Sequence, residues 1–245
     1  FRKLADEGAF RVETLLESGR WFKENYPVTP VSSVTVSDDF LNVGKSAVWY
    51  DSRYYRAGLY WAGTEFIIRD IHMFDEKIES DYLRKPLTTT YCEYLTPPFV
   101  DGFFWSSQTE LAGLRLVTLK ADGTAEVIPV KSHEYVESAE DVLSVLCDTD
   151  YGQFELIFNE DAMIVSFAPA AGSEPLKWAL EFNAFVKDNL PFTKITDKAI
   201  SASHRGYDYN VRLLEGKFTS KASDFSNWQI IPQNGRLVLS GVISK

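Results

Sequence analysis

From Val31 onward the chain is a succession of short β-branched and aromatic segments, in most of which apolar residues alternate with polar ones. A period of two is the signature of a pleated strand, since successive side chains point to opposite faces. Val31–Val36, Ala47–Tyr50, Leu59–Trp61, Glu65–Phe74, Thr88–Tyr94, Gly102–Trp105 and Leu114–Lys120 all read this way. Asp122-Gly123 then supplies a hairpin turn into Ala125–Val130. Further strands are expected at 154–158, 162–167, 192–196, 199–203, 207–214, 228–231 and 237–243, with Gly206, Gly216 and Asn234-Gly235 as turns. Roughly fifteen such segments predict an all-β fold, a large two-sheet antiparallel β-sandwich with one or two short helices. No fixed-period repeat or linker-like run divides the 245 residues, so one domain over 1–245 is expected.

Three stretches depart from simple alternation. Residues 2–17 carry early acids and apolar Phe10, Val12, Leu15 and Leu16, with Ser18-Gly19 as a C-cap. They read as an N-terminal helix, or as a hairpin extension within residues 1–26, ended by Pro27. Ser138-Ala-Glu-Asp141 before Val-Leu-Ser-Val-Leu-Cys147 has the spacing of a capping box and predicts a short helix. Pro175–Val186 satisfies both helix and strand templates, and its β context favours the strand.

Glu65–Phe74 is apolar on both faces, as a strand covered on both sides would be, yet it carries Asp70 and His72. Strict alternation puts Phe66, Ile68, Asp70, His72 and Phe74 on one face. A buried acid and imidazole need partners or a cleft, so the pair is a candidate for acid–base chemistry as well as for a satisfied core pair. Glu181, beside Asn183 on the face opposite Leu180 and Phe182, is a third candidate base. Acids or bases also stand beside rings. Arg53 lies near Trp49, Tyr54 and Trp61, Asp101 lies close to Trp105, and His204-Arg205 occupies a predicted turn. Flat apolar surface for a pyranose C–H face, with planar charged groups for its hydroxyls, is what a carbohydrate site requires.

Other chemistries have less support. The net charge of −10 opposes nucleic acid and anionic membranes as partners. No apolar run is long enough to span a membrane. Three isolated histidines and two cysteines at unrelated spacings make no recognised metal set, and no cofactor fingerprint occurs. Cys92 and Cys147 read either as one bridge or as two buried thiols. The chain begins at Phe1, so a leader or a further domain upstream is left open, and a secreted or periplasmic bacterial protein is the expected setting.

In outline, this many strands with so few helices is similar to the large β-sandwiches of galactose-mutarotase-like domains and of modules in glycoside hydrolases and polysaccharide lyases. The similarity is one of fold over the whole chain and rests on no shared motif, so it assigns no residue. It implies an oligosaccharide or polysaccharide partner, bound by a sugar-binding or accessory domain. A mutarotase-like or lyase-like enzyme is the next reading. A structural or protein-interaction domain, with its rings all in the core, is the alternative of a different class.

Overall fold

A computed structural model describes residues 1–88, 90, 95–139, 141–173, 175–220 and 224–244. The chain forms two compact units, residues 1–30 and 31–245. In the first, α1 (Arg2–Asp6) precedes α2 (Leu15–Asn25). The helix expected over 2–17 is therefore divided in two, the second starting only at Leu15, and Ser18-Gly19 lies inside that second helix rather than capping the first. The cause is a capping box at Thr14-x-x-Glu17. Thr14 Oγ1 accepts from the Glu17 N–H at 3.3 Å, and Glu17 Oε2 accepts from the Thr14 N–H at 2.7 Å.

The second unit holds the strands. In chain order these are β1 (Ser32–Val36), β2 (Lys45–Asp51), β3 (Tyr55–Ala62), β4 (Glu65–Met73), β5 (Pro98–Asp101) and β6 (Gly113–Leu119). Next come β7 (Ala125–Val127), β8 (Ser132–Ala139), β9 (Val142–Asp148), β10 (Gly152–Asn159), β11 (Ala162–Pro169) and β12 (Trp178–Asn183). Last are β13 (Phe192–Ile195), β14 (Ala199–His204), β15 (Tyr207–Glu215), β16 (Lys217–Ser220), β17 (Asn227–Ile231) and β18 (Arg236–Ser240). Among the described residues they form two antiparallel sheets. One runs β1-β2-β3-β4-β6-β12-β17-β16, with β5 on β4 and β7 on β6; the other runs β13-β14-β15-β18-β11-β10-β9-β8. The protein is thus nearly all β, as its alternation predicts.

The core lies between the sheets. Tyr50 meets Phe158 at 5.7 Å and Phe154 meets Trp178 edge-on at 5.1 Å. Each such side chain, sealed from water, contributes roughly 1.5–3 kcal/mol of burial. The Tyr55 hydroxyl donates to the carbonyls of Asn159 and Ala162, tying β3 to the β10–β11 turn.

Two expectations are corrected here, and a third lies mostly outside the described residues. The described residues of 138–147 are not helical: they belong to the β8–β9 hairpin, with Asp141 at φ 62°. Leu143, Val145 and Cys147 alternate into the core opposite Phe158, Leu156 and Phe154, and that burial outweighs a local capping signal. The strand expected over Gly102–Trp105 lies earlier, at Pro98–Asp101, because Asp101 Oδ1 accepts from the N–H groups of Phe103 and Phe104 and folds 102–105 into a turn. The strand expected over Thr88–Tyr94 falls mostly on Thr89, Tyr91, Cys92, Glu93 and Tyr94, which lie outside the described residues. Cys147 carries a buried free thiol.

Candidate functional site

The site is made by a register shift in β4. Leu59 of β3 pairs with Ile68, yet the next residue back, Gly58, pairs with Asp70, so Arg69 is an extra residue, a β-bulge. A bulge reverses the alternation beyond it. Phe66 and Ile68 point into the core before it, and Ile71 and Met73 do so after it. Asp70 and His72 therefore face outward, opposite to the face that strict alternation from Phe66 assigns them.

On that outer face the register builds two rows. Trp49, Gly58, Asp70 and Asp101 stand directly opposite one another across β2, β3, β4 and β5. Asp51, Arg56, His72 and Pro98 form the next row. With strands about 4.8 Å apart, the first row spans roughly 14 Å. Gly58 is required there, because a Cβ would lie 2.7 Å from Trp49 Cζ3. The Arg56 guanidinium covers the same ring, 5.2 Å from its centroid.

Although they face outward, Asp70, His72 and Asp101 are only 6%, 4% and 5% exposed. One ligating atom from each lies within 4.8 Å of the others. His72 Nδ1 is 2.9 Å from Thr96 Oγ1, which leaves Nε2 facing Asp101 Oδ2 at 3.7 Å. Arg69 Nε comes to 3.8 Å from Asp70 Oδ2. Burial pushes the Asp70 carboxyl up to about 6; the nearby Asp101 charge adds to this, and Arg69 and Arg56 oppose it. Burial likewise pushes His72 down to about 4, against the pull of Asp101 and the bond to Thr96. Two acids and a neutral imidazole in so dry a place suit proton transfer or a cation.

Asp101 also lines a pocket of about 410 Å³ with Phe104, Asn189, His204 and Arg205. His204 ends β14, and Arg205-Gly206, both at positive φ, form the two-residue turn into β15. Arg205 Nη2 meets Asp81 Oδ2 at 3.2 Å.

Of the residues expected to act, the fold thus brings Trp49, Asp70, His72 and Asp101 to one face and places His204 and Arg205 across the pocket from Asp101. The others are elsewhere. Trp61 and Trp105 are 1% exposed, and the core occupies their faces. Trp61 stacks on His133 at 4.1 Å, and Trp105 meets Phe182 and Phe192 edge-on. Trp105 reaches the pocket wall but offers no open face to a sugar. Arg53 pairs with Glu160 at 2.8 Å and lies over the Tyr54 ring at the β2–β3 turn. Glu181 lies on the outer face, two strands from Asp70, with its oxygens accepting from Asn183 Nδ2 at 3.1 Å and Gln229 Nε2 at 2.6 Å. Both of its oxygens are already engaged by amide donors. Sequence reasoning missed Arg56 and Thr96. Gly58, a glycine inside a strand, was the available sign of a close approach or bulge; nothing marks Thr96.

No protein-family model matches the chain, and no curated protein matches it. It is similar to a solved structure of an active YidC insertase with its first transmembrane domain resolved, at 9% identity and a TM-score of 0.45. The likeness covers 92% of this chain and 44% of that one, so this chain spans less than half of that protein's length. A likeness this distant carries no weight for function. Among the described residues no helix is long and apolar enough to cross a membrane.

Proposed function

We propose that this β-sandwich binds carbohydrate in the pocket at Asp101, with a secreted or periplasmic setting as part of the same proposal. One observation carries the reading. A pocket of about 410 Å³, within the usual range for small-molecule sites, gathers a carboxylate, an imidazole, a guanidinium and an amide beside the Phe104 ring. Asp101, His204, Arg205 and Asn189 are planar groups that pair with vicinal hydroxyls, and Phe104 supplies an apolar face for ring C–H groups. The backbone N–H groups of Phe103 and Phe104 hold that carboxylate in place, and the dry Asp70–His72 pair lies beside it. That pair also gives a sugar enzyme of mutarotase or lyase type the acid and base it would need. With a net charge of −10, neutral and amino sugars are favoured over acidic ones.

The burial of Trp61 and Trp105 favours a second reading, a structural or protein-interaction domain whose rings serve the core. Intrinsic tryptophan fluorescence, titrated with neutral, amino and acidic oligosaccharides, separates the two. Saturable quenching or enhancement that His204→Ala removes supports the carbohydrate site. No response from any member of the panel supports the interaction domain.

A further inference from the structure

The geometry points to a site for a divalent first-row ion of the zinc or manganese class, held by Asp70, His72 and Asp101 on the outer face of β4. The inference goes beyond the carbohydrate reading and does not depend on it. The three donors come from two strands, with Asp70 and Asp101 directly opposite one another and His72 one place along the same face. Their ligating atoms lie within 4.8 Å of one another. Donors bound about 2.0–2.2 Å from such an ion stand roughly 3–4 Å apart, so the His72 Nε2–Asp101 Oδ2 separation already matches and the set as a whole needs to contract by under about an ångström.

Three further features fit. His72 is 4% exposed, and its Nε2 faces Asp101 at 3.7 Å, too long for a hydrogen bond, which is the geometry of a nitrogen awaiting a third atom. Its other nitrogen is fixed by Thr96 Oγ1 at 2.9 Å, the second contact that orients a metal-binding imidazole. Asp101 Oδ1 accepts from two backbone N–H groups, so the carboxylate is held before any ion arrives and Oδ2 is the atom left to bind. Because Asp101 also lines the pocket, an ion there would keep positions open to water or a ligand from that side. One imidazole with two carboxylates is a donor set for zinc, manganese or iron(II); calcium prefers oxygen alone. Arg56 and Arg69 flank the cluster, and the nearer guanidinium contact, Arg69 Nε to Asp70 Oδ2, is 3.8 Å. The arginines offset part of the acids' charge.

The test uses the full chain, stripped with chelator and titrated calorimetrically with Zn²⁺ and with Mn²⁺. One equivalent should bind and raise the melting temperature, and His72→Gln and Asp70→Asn should each lower the affinity at least tenfold. No uptake by the parent, or uptake that both variants retain, overturns the proposal and leaves the arginines as the acids' counterions. Should a variant fail to fold by circular dichroism, the parent loaded with Co²⁺ decides. X-ray absorption must show a nitrogen donor beside oxygens, and an all-oxygen shell overturns the assignment.

Discussion

Asp70→Asn, studied in chelator, should raise the stability of the protein at neutral pH. Burial is the largest influence on Asp70 and lifts its folded value to about 6 from an ordinary 3.8. The folded state thus holds a proton that the unfolded state has released, so Asp70's contribution is full below about 3.8 and is lost as pH rises through about 6. At about 1.4 kcal/mol per pH unit, the buried charge destabilises the protein at pH 7 by up to about 3 kcal/mol. His72 runs the other way. Its folded value of about 4 lies below 6.5, so its contribution is full above 6.5 and is lost as pH falls through about 4. Over the same window the two slopes oppose each other, and the parent should be nearly flat from pH 4 to 7.

Asparagine removes only the first slope. Urea unfolding followed by tryptophan fluorescence should show the variant more stable than the parent by about 1–3 kcal/mol at pH 7, a rise of roughly 2–10 °C in melting temperature, and level with it at pH 4. The variant should therefore be the more acid-sensitive protein. A variant less stable than the parent at pH 7 would refute the reasoning, because it would mean that Arg69 and Arg56 stabilise the carboxylate more than burial penalises it.

Gly58→Ala places a methyl group 2.7 Å from Trp49 Cζ3, so the ring must move; a loss of about 1–3 kcal/mol and a changed emission spectrum are expected, and an unchanged spectrum would count against the packing described. Burial pushes the Cys147 thiol up to about 12, so a thiol reagent followed by mass-spectrometric mapping should label Cys147 only after denaturation, and labelling of the native chain would contradict its place in the core. Glu181→Gln should leave the sugar response unchanged and the melting temperature within about 2 °C of the parent, since among the described residues its carboxylate accepts from the Asn183 and Gln229 amides. Loss of the response would return Glu181 to the list of bases.

The sheets were legible in the sequence because burial on one face forces alternation, and Leu180 and Phe182 or Val48 and Tyr50 show it plainly. Asp70 and His72 were legible as polar residues on an apolar strand. Their face was not, because one extra residue at Arg69 inverts every side chain after it and leaves no mark within its own strand, the one sign being Gly58 on the neighbouring strand. Asp101 joins them through the pairing of β5 with β4, a contact between residues distant in the chain that no local spacing encodes. Trp61 and Trp105 misled for a physical reason: a ring suited to stacking on a sugar is equally suited to a core, and their neighbours His133, Phe182 and Phe192 settle the matter. The signal at Ser138 was local and lost to the burial of Leu143, Val145 and Cys147.

The carbohydrate reading rests on Asp101, which lines the pocket and touches the buried cluster behind it. Asp101→Asn keeps an oxygen for the Phe103 and Phe104 N–H groups, so the turn at 102–105 should persist. Calorimetric titration of parent and variant with the oligosaccharide that gives the largest fluorescence response is the most direct test. The account predicts at least a tenfold loss of affinity with a melting temperature within a few degrees of the parent. Equal affinity in the two proteins, per folded molecule, would contradict it.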